Sequence, residues 1–306
     1  MNPRRILATT GKLTAALLIA YFVVRTVLTN WGQIRSYGWD FDPAFMGLSF
    51  GAFIATYLFL AWTWGRVLRY TGYPVPYRDA FEIYFIGNLG HYIPGKIWTV
   101  AGVAWLAERR GIPPVVAGAA AVFAQAYSII SSLAFFPLFL ILNNVEPTWM
   151  NPEWMIPAIL LFVGFFIFPA NMERALNFAL GLLKRERVSL GLTLGKALRL
   201  TGLYFVSWVL FGIAFWLFVI AVTGNRGISP VLLTGAYATA YVVGYLAFFV
   251  PNGLGVREGV AGYLLSSTMP AGVALLVTFL VRLPVTLVEL LCVVIILIRK
   301  GLPWQK

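Results

Sequence analysis

The stretch Phe249-Val250-Pro251-Asn252-Gly253-Leu254-Gly255-Val256-Arg257-Glu258 interrupts an apolar segment that runs from about 230 to 268. A helix needs only about 20 residues to cross the roughly 30 Å of hydrocarbon in a bilayer, so this segment is too long for one crossing. Its middle also resists helix, because proline removes a backbone donor and glycine readily ends a helix. Two helices folded about a turn are therefore expected. A second segment, about 77–107, is broken in the same way at Tyr92-Ile93-Pro94-Gly95-Lys96. Setting Gly87 to Pro94 against Gly244 to Pro251 matches Gly, Leu and Pro at identical spacing, with an aromatic and a β-branched residue before each proline. After a three-residue insertion, Ala101-Gly102 falls on Ala261-Gly262.

The rest of the chain fits the same setting. Hydrophobic residues make up 60% of the 306 and charged ones 11%, and the mean hydropathy is +0.83. That leaves too little polar surface for a large soluble domain and nearly excludes a soluble catalytic module. Apolar stretches long enough to span occur at about 13–29, 44–64, 114–142, 154–170, 197–222 and 271–298. The first follows Arg4 and Arg5 as a signal peptide would, but Thr29-Asn30-Trp31-Gly32 offers no small-residue cleavage site, so it reads as a retained helix. The expected fold is all-α: one polytopic transmembrane domain over 1–306, with six full spans and two helical hairpins.

Loop charge sets the orientation. Arg4, Arg5 and Lys12, then Arg66, Arg69 and Arg78, then Arg109 and Arg110, then the basic 171–196 loop, and finally Arg299, Lys300 and Lys306 mark cytoplasmic segments. The acidic loops at 30–43 and 143–153, and the 223–229 turn, face outward. Both termini then lie in the cytoplasm and the protein belongs in the plasma membrane. The 77–107 hairpin enters and leaves from the cytoplasm, and the 230–268 hairpin from the outer side. Residues 1–150 and 151–306 read as an inverted repeat, an arrangement used by many secondary transporters.

Several chemistries drop out. Cys292 is the single cysteine and His91 the single histidine, so neither an internal disulfide nor a His/Cys metal cluster is available, and no cofactor is expected. Gly90 to Lys96 has the phosphate-loop spacing, but Ile97 replaces the Ser or Thr that binds magnesium. Gly47-Leu48-Ser49-Phe50-Gly51 spells a nucleophile elbow inside a span, where the strand-to-helix turn cannot form. The run Ala117-Gly118-Ala119-Ala120-Ala121 reads as a face for close helix packing. The net charge of +12 is a topology signal and implies no nucleic-acid partner.

A helix broken at membrane depth leaves backbone groups unpaired, which is tolerated only beside a cavity or inside protein. The half-helix after each break starts with free N–H groups suited to an anion, and Lys96 and Arg257 stand near those starts. Glu82, Arg282 and Glu289 are further charges inside apolar stretches, the last two on one face of the final span. Such charges face a cavity or a partner. They read either as a polar path for headgroups or protons, or as ion pairs of Arg257 with Glu258 and of Arg282 with Glu289 or Glu82. His91, beside the first break, could relay protons or be a hydrogen-bonded structural residue.

Tyr92-Ile93-Pro94-Gly95-Lys96-Ile97-Trp98, then Ala101-Gly102 and the basic turn Arg109-Arg110-Gly111, then Pro251-Asn252-Gly253-Leu254-Gly255-Val256-Arg257-Glu258-Gly259 resemble one known family. They look like the flippase-like transmembrane domain of the lysylphosphatidylglycerol synthase/flippase family, across essentially the whole chain. The resemblance implies a multispan protein that moves lipids or lipid-linked headgroups between leaflets. By position it marks Pro94, Gly95 and Lys96, and Pro251, Gly253, Gly255, Arg257 and Glu258; Asn252 stands where the pattern has a second glycine. A stand-alone member without a soluble transferase domain is expected. The leading expectation is a transporter of an anionic phospholipid or polyprenyl-phosphate-linked headgroup, with phosphate near Lys96 and Arg257 and coupling through Glu258, Glu82 or Glu289. Two alternatives are an integral-membrane transferase, for which Asp40-Phe41-Asp42 is the only acid pair, and a non-catalytic partner that recruits a cytoplasmic enzyme through the basic 171–196 loop.

Overall fold

A computed structural model describes residues 21, 24–25, 28–93, 97–143, 152–182, 184, 186–247 and 250–300. Every regular element among them is a helix: α1 (Trp31–Ser36), α2 (Pro43–Tyr70), α3 (Tyr77–Asn88), α4 (Ile97–Glu108), α5 (Pro114–Leu133), α6 (Phe135–Asn143), α7 (Pro152–Ile167), α8 (Pro169–Leu182), α9 (Leu194–Thr223), α10 (Pro230–Leu246), α11 (Val256–Leu265), α12 (Ala271–Leu280) and α13 (Arg282–Lys300). Short 3₁₀ turns at Leu89–Tyr92 and Pro251–Gly253 fall at the two expected breaks.

The long helices begin and end where their chemistry says they should. The Asp42 carboxylate accepts from the N–H groups of Ala44 and Phe45, with Pro43 in the first turn, so α2 starts there and meets no breaker for 28 residues. The Thr193 hydroxyl caps α9, which runs 30 residues and stops at Gly224 in the left-handed conformation. These two helices are antiparallel and tied at both ends: Asp42 N–H donates to the Ala221 carbonyl at 2.9 Å, and Lys196 Nζ to the Tyr70 carbonyl at 3.0 Å.

Among the described residues, four helical stretches can cross a membrane by length and composition, Pro43–Tyr70, Pro114–Leu140, Leu194–Thr223 and Ala271–Arg299, or five if the bent pair Ile159–Ile167 and Pro169–Leu182 is one span. The expected span at 13–29 lies almost wholly outside the described residues. The one at 154–170 is not a single rod, because the chain turns by 84° between Ile167 and Pro169. Proline cannot donate to the preceding turn and holds Phe168 out of the helical region, so the break falls there. The first half of the basic 171–196 loop is consequently the helix α8. At 114–142 and 271–298 the same physics interrupts the helix at one residue only, and each stretch remains a single candidate span. Pro137 has no N–H for the Leu133 carbonyl and Pro284 none for that of Leu280, and α5 and α12 end at those two residues.

Both broken segments fold back on themselves. In the first, a Cβ on Gly87 would stand 2.7 Å from Val103 Cγ2, and one on Gly102 would stand 2.9 Å from the Gly87 carbonyl oxygen, so α3 and α4 meet backbone to backbone. In the second, a Cβ on Gly253 would lie 2.8 Å from the Gly244 carbonyl oxygen. The aligned pair Gly87 and Gly244 thus packs each first arm against its own return. The aligned pair Gly102 and Gly262 diverges, since Gly262 faces the backbone of Leu275 on α12 instead. The tips of the two segments touch.

Buried apolar side chains form two clusters, one around Phe215, Leu233 and Val277, the other around Leu68, Ile83, Leu106 and Phe123. Tyr84 and Ile86 pack against both. Ala117, Gly118, Ala119 and Ala120 are buried in α5, which packs on α4 and α9 as expected of a small-residue face. Ser49 sits within α2 and its hydroxyl donates to the Ala214 carbonyl at 2.9 Å, so it helps join α2 to α9 and forms no elbow. Cys292 is buried among apolar residues.

Candidate functional site

The second break is an ordered turn. Asn252, Gly253 and Gly255 all have positive φ, at 46°, 62° and 81°. Asparagine is among the few side chains that tolerate this region, which is why it can stand in place of a glycine. Glu258, three residues into α11, reaches back so that Oε2 accepts the Gly255 N–H at 2.6 Å, and its other oxygen pairs with Arg282 Nε. Arg282 Nη2 also donates to the Asn252 carbonyl at 3.1 Å. Thr278 Oγ1 donates to the Glu258 carbonyl at 3.2 Å. Glu258 is fully buried.

This corrects the pairing expected from sequence. Arg282 pairs with Glu258 and with neither Glu289 nor Glu82, while Arg257 has no carboxylate within 4.0 Å among the described residues. Adjacent residues on a helix diverge by about 100°, so one neighbour turns toward α13 as the other turns away. Glu82 pairs instead with Arg110 Nη2 at 2.6 Å, beside Asp79 at 3.4 Å from Nε, and holds the base of the first broken pair.

Arg257 turns into a cavity of about 300 Å³. Its guanidinium lies 4.8 Å from the ring centre of Tyr241 and 5.9 Å from that of Tyr237. Nη2 donates to Asn252 Oδ1 at 3.4 Å, and Nε is buried without a hydrogen-bond partner. Both broken pairs contribute to the wall: Asn88, His91 and Val103 from the first, Gly244, Asn252 and Arg257 from the second. Helices α2, α5, α9 and α13 close the sides.

Glu289 enters from α13. Its Oε2 accepts from the Tyr92 hydroxyl at 2.6 Å, and His91 Nε2 lies 3.5 Å from the same oxygen without hydrogen-bond geometry. The carboxylate therefore holds the first tip against α13. The structure thus brings His91, Asn252, Arg257 and Glu289 to one cavity, and it uses Glu82, Glu258 and Arg282 outside that cavity to hold the turns. Pro94, Gly95 and Lys96 lie outside the described residues. Gly253 and Gly255 shape the turn, and the backbone of Pro251 opens its 3₁₀ part.

Tyrosines are the part sequence reading passed over. Tyr57, Tyr84, Tyr204, Tyr237, Tyr241 and Tyr245 all line the cavity, and the Tyr241 hydroxyl accepts from Gln125 Nε2 at 2.7 Å. A signal existed: Tyr237, Tyr241 and Tyr245 recur every four residues, so they share one face of a helix that is otherwise apolar.

Apolar helices of spanning length, with a cavity among them that Arg257 and Glu289 line, define a multi-pass membrane protein. Residues 11–292 match the lysylphosphatidylglycerol synthase TM region, so the chain belongs to that family and is a membrane protein related to lipids. No curated protein matches the chain.

Proposed function

We propose that this protein moves a lipid between leaflets, admitting a phosphate-bearing headgroup to the cavity while the acyl chains stay in the bilayer. Arg257 carries this reading. It is the one guanidinium or ammonium among the described lining residues, it lacks a carboxylate partner, and its Nε is buried and unbonded. A cation kept unpaired at membrane depth costs several kcal/mol unless a ligand compensates it, and phosphate matches guanidinium geometry well.

In this reading the two broken pairs are re-entrant hairpins of an inverted repeat, entering from opposite sides of a plasma membrane with both chain ends in the cytoplasm. The aligned glycines Gly87 and Gly244, and the meeting of the tips, support it. The reading assigns the chain no catalysis of its own. Of the acid pair that a transferase would need, the Asp42 carboxylate is engaged as the cap of α2. The test is leaflet exchange of fluorescent phospholipids in vesicles holding the purified chain. Exchange should be present and should fall in Arg257→Ala; full exchange in that variant would remove the assignment.

A further inference from the structure

We infer that α8 is an in-plane anchor whose free face docks on a bilayer leaflet containing anionic lipid. Phe178 and Leu182 enter the hydrocarbon boundary, and Arg174, Lys184 and Arg187 meet the lipid phosphates.

One side of α8 is fixed to the protein. Met172 is buried, and Leu176 and Leu180 pack on the second apolar cluster. The Asn177 side chain clamps Val188: its Oδ1 accepts the N–H at 2.7 Å and its Nδ2 donates to the carbonyl at 2.8 Å. Glu173 accepts the Leu190 N–H at 2.8 Å. These contacts fix how the helix is turned about its own axis. At about 100° per residue, Met172, Leu176 and Leu180 share one side, while Phe178 and Leu182 stand on the other. Both of the latter are 71% exposed, and Ala175 and Ala179 beside them are exposed as well.

The neighbouring helix identifies what covers that face. α7 is an apolar helix of 16 residues, about 24 Å long by helical rise and thus most of the thickness of a bilayer core. Its Leu160, Leu161 and Phe165 are exposed and, in a membrane protein, face acyl chains. The chain then turns by 84° into α8, which places α8 close to the membrane plane at the end of α7. Phe168, exposed at the corner, continues the apolar surface from one helix to the other. A helix with one apolar face, lying where a span ends, matches an interfacial helix.

Charge selects the lipid. Arg174, Lys184 and Arg187 are exposed, and none has a carboxylate within 4.0 Å among the described residues. Of the two acids between 169 and 187, Glu173 is engaged by the Leu190 N–H, and Glu186 alone is exposed. An apolar face bordered by an excess of bases is attracted to anionic headgroups. None of the described residues of α8 lines the cavity.

The experiment places a nitroxide on Phe178→Cys, and separately on Leu182→Cys, in the full chain carrying Cys292→Ala. Each is reconstituted in nanodiscs of phosphatidylcholine alone, or of phosphatidylcholine and phosphatidylglycerol in equal parts. Accessibility to oxygen and to a water-soluble nickel chelate reads the depth. Both labels should be reached by oxygen and shielded from the chelate. The ratio of immersed to water-exposed label should rise with phosphatidylglycerol, by up to about fivefold for each base engaged. Arg174→Gln, Lys184→Gln and Arg187→Gln together should erase that rise. Labels that stay water-exposed in both bilayers would overturn the inference and leave the face to a soluble protein. Equal immersion in the two bilayers, or a rise that survives the three substitutions, would overturn the choice of anionic lipid.

Discussion

Glu258 on α11 and Arg282 at the head of α13 form an ion pair across the second break, and the same arginine holds the Asn252 carbonyl. One pair of side chains thus ties the turn that presents Arg257 to the helix that presents Glu289.

Removing either partner should cost about 3–5 kcal/mol, because it leaves a buried charge without compensation. Glu258→Gln and Arg282→Ala are therefore expected to lower the Tm of the purified protein in detergent by many degrees. The reversed pair, Glu258→Arg with Arg282→Glu, should not recover it, because the Gly255 N–H and the Asn252 carbonyl would both lose their partners. Recovery in the reversed pair would mean that the charges matter and the turn does not.

Arg257 is expected to behave in the opposite way. Arg257→Ala removes a charge that has no carboxylate partner among the described residues, so Tm should hold or rise while exchange falls by about tenfold or more. Arg257→Lys should restore only part of the rate, since an ammonium lacks the planar fork. A variant in which Tm and exchange fall together would assign Arg257 to the fold.

Asn252 separates turn from site. Asn252→Gly relieves a left-handed backbone cost of about 1–2 kcal/mol but removes the oxygen that steadies the guanidinium. Stability should rise slightly and exchange should drop. Asn252→Val, β-branched at positive φ, should lower Tm. Equal stability of the two variants would show that the turn does not require this conformation.

Close helix approach can be tested with one methyl group. Gly87→Ala places a Cβ 2.7 Å from Val103 Cγ2 and 3.0 Å from its backbone, and should cost about 1–3 kcal/mol by overpacking. Gly47→Ala, with nothing within 4 Å, should change Tm by little. Matching losses in the two variants would contradict the backbone contact between α3 and α4.

Much of this architecture was legible in particular residues. Pro94-Gly95 and Pro251 to Gly255 announced both breaks, because loss of a donor and freedom at positive φ act locally and need no partner. Composition announced the membrane for the same reason. Pro137, Pro169 and Pro284 marked three further interruptions that a hydropathy count alone passed over, since an apolar run keeps its hydropathy through a kink. The candidate site was only partly legible. Arg257 and Glu289 stood out as charges in apolar sequence, whereas the tyrosine face of α10 was hidden by the habit of counting aromatic residues as apolar.

Periodicity, breakers and loop charge by themselves determined a helical membrane protein with two interrupted segments and a short set of buried charges. Which charges pair was decided only by tertiary structure. Arg257 and Glu258 are neighbours in sequence yet point apart, and Glu258 finds Arg282, 24 residues on. A side chain's direction follows from its angle around the helix and from which helix lies on that side. Neither quantity is contained in a list of nearby residues. That choice leaves Arg257 facing the cavity without a carboxylate partner among the described residues, and on it the proposed chemistry depends.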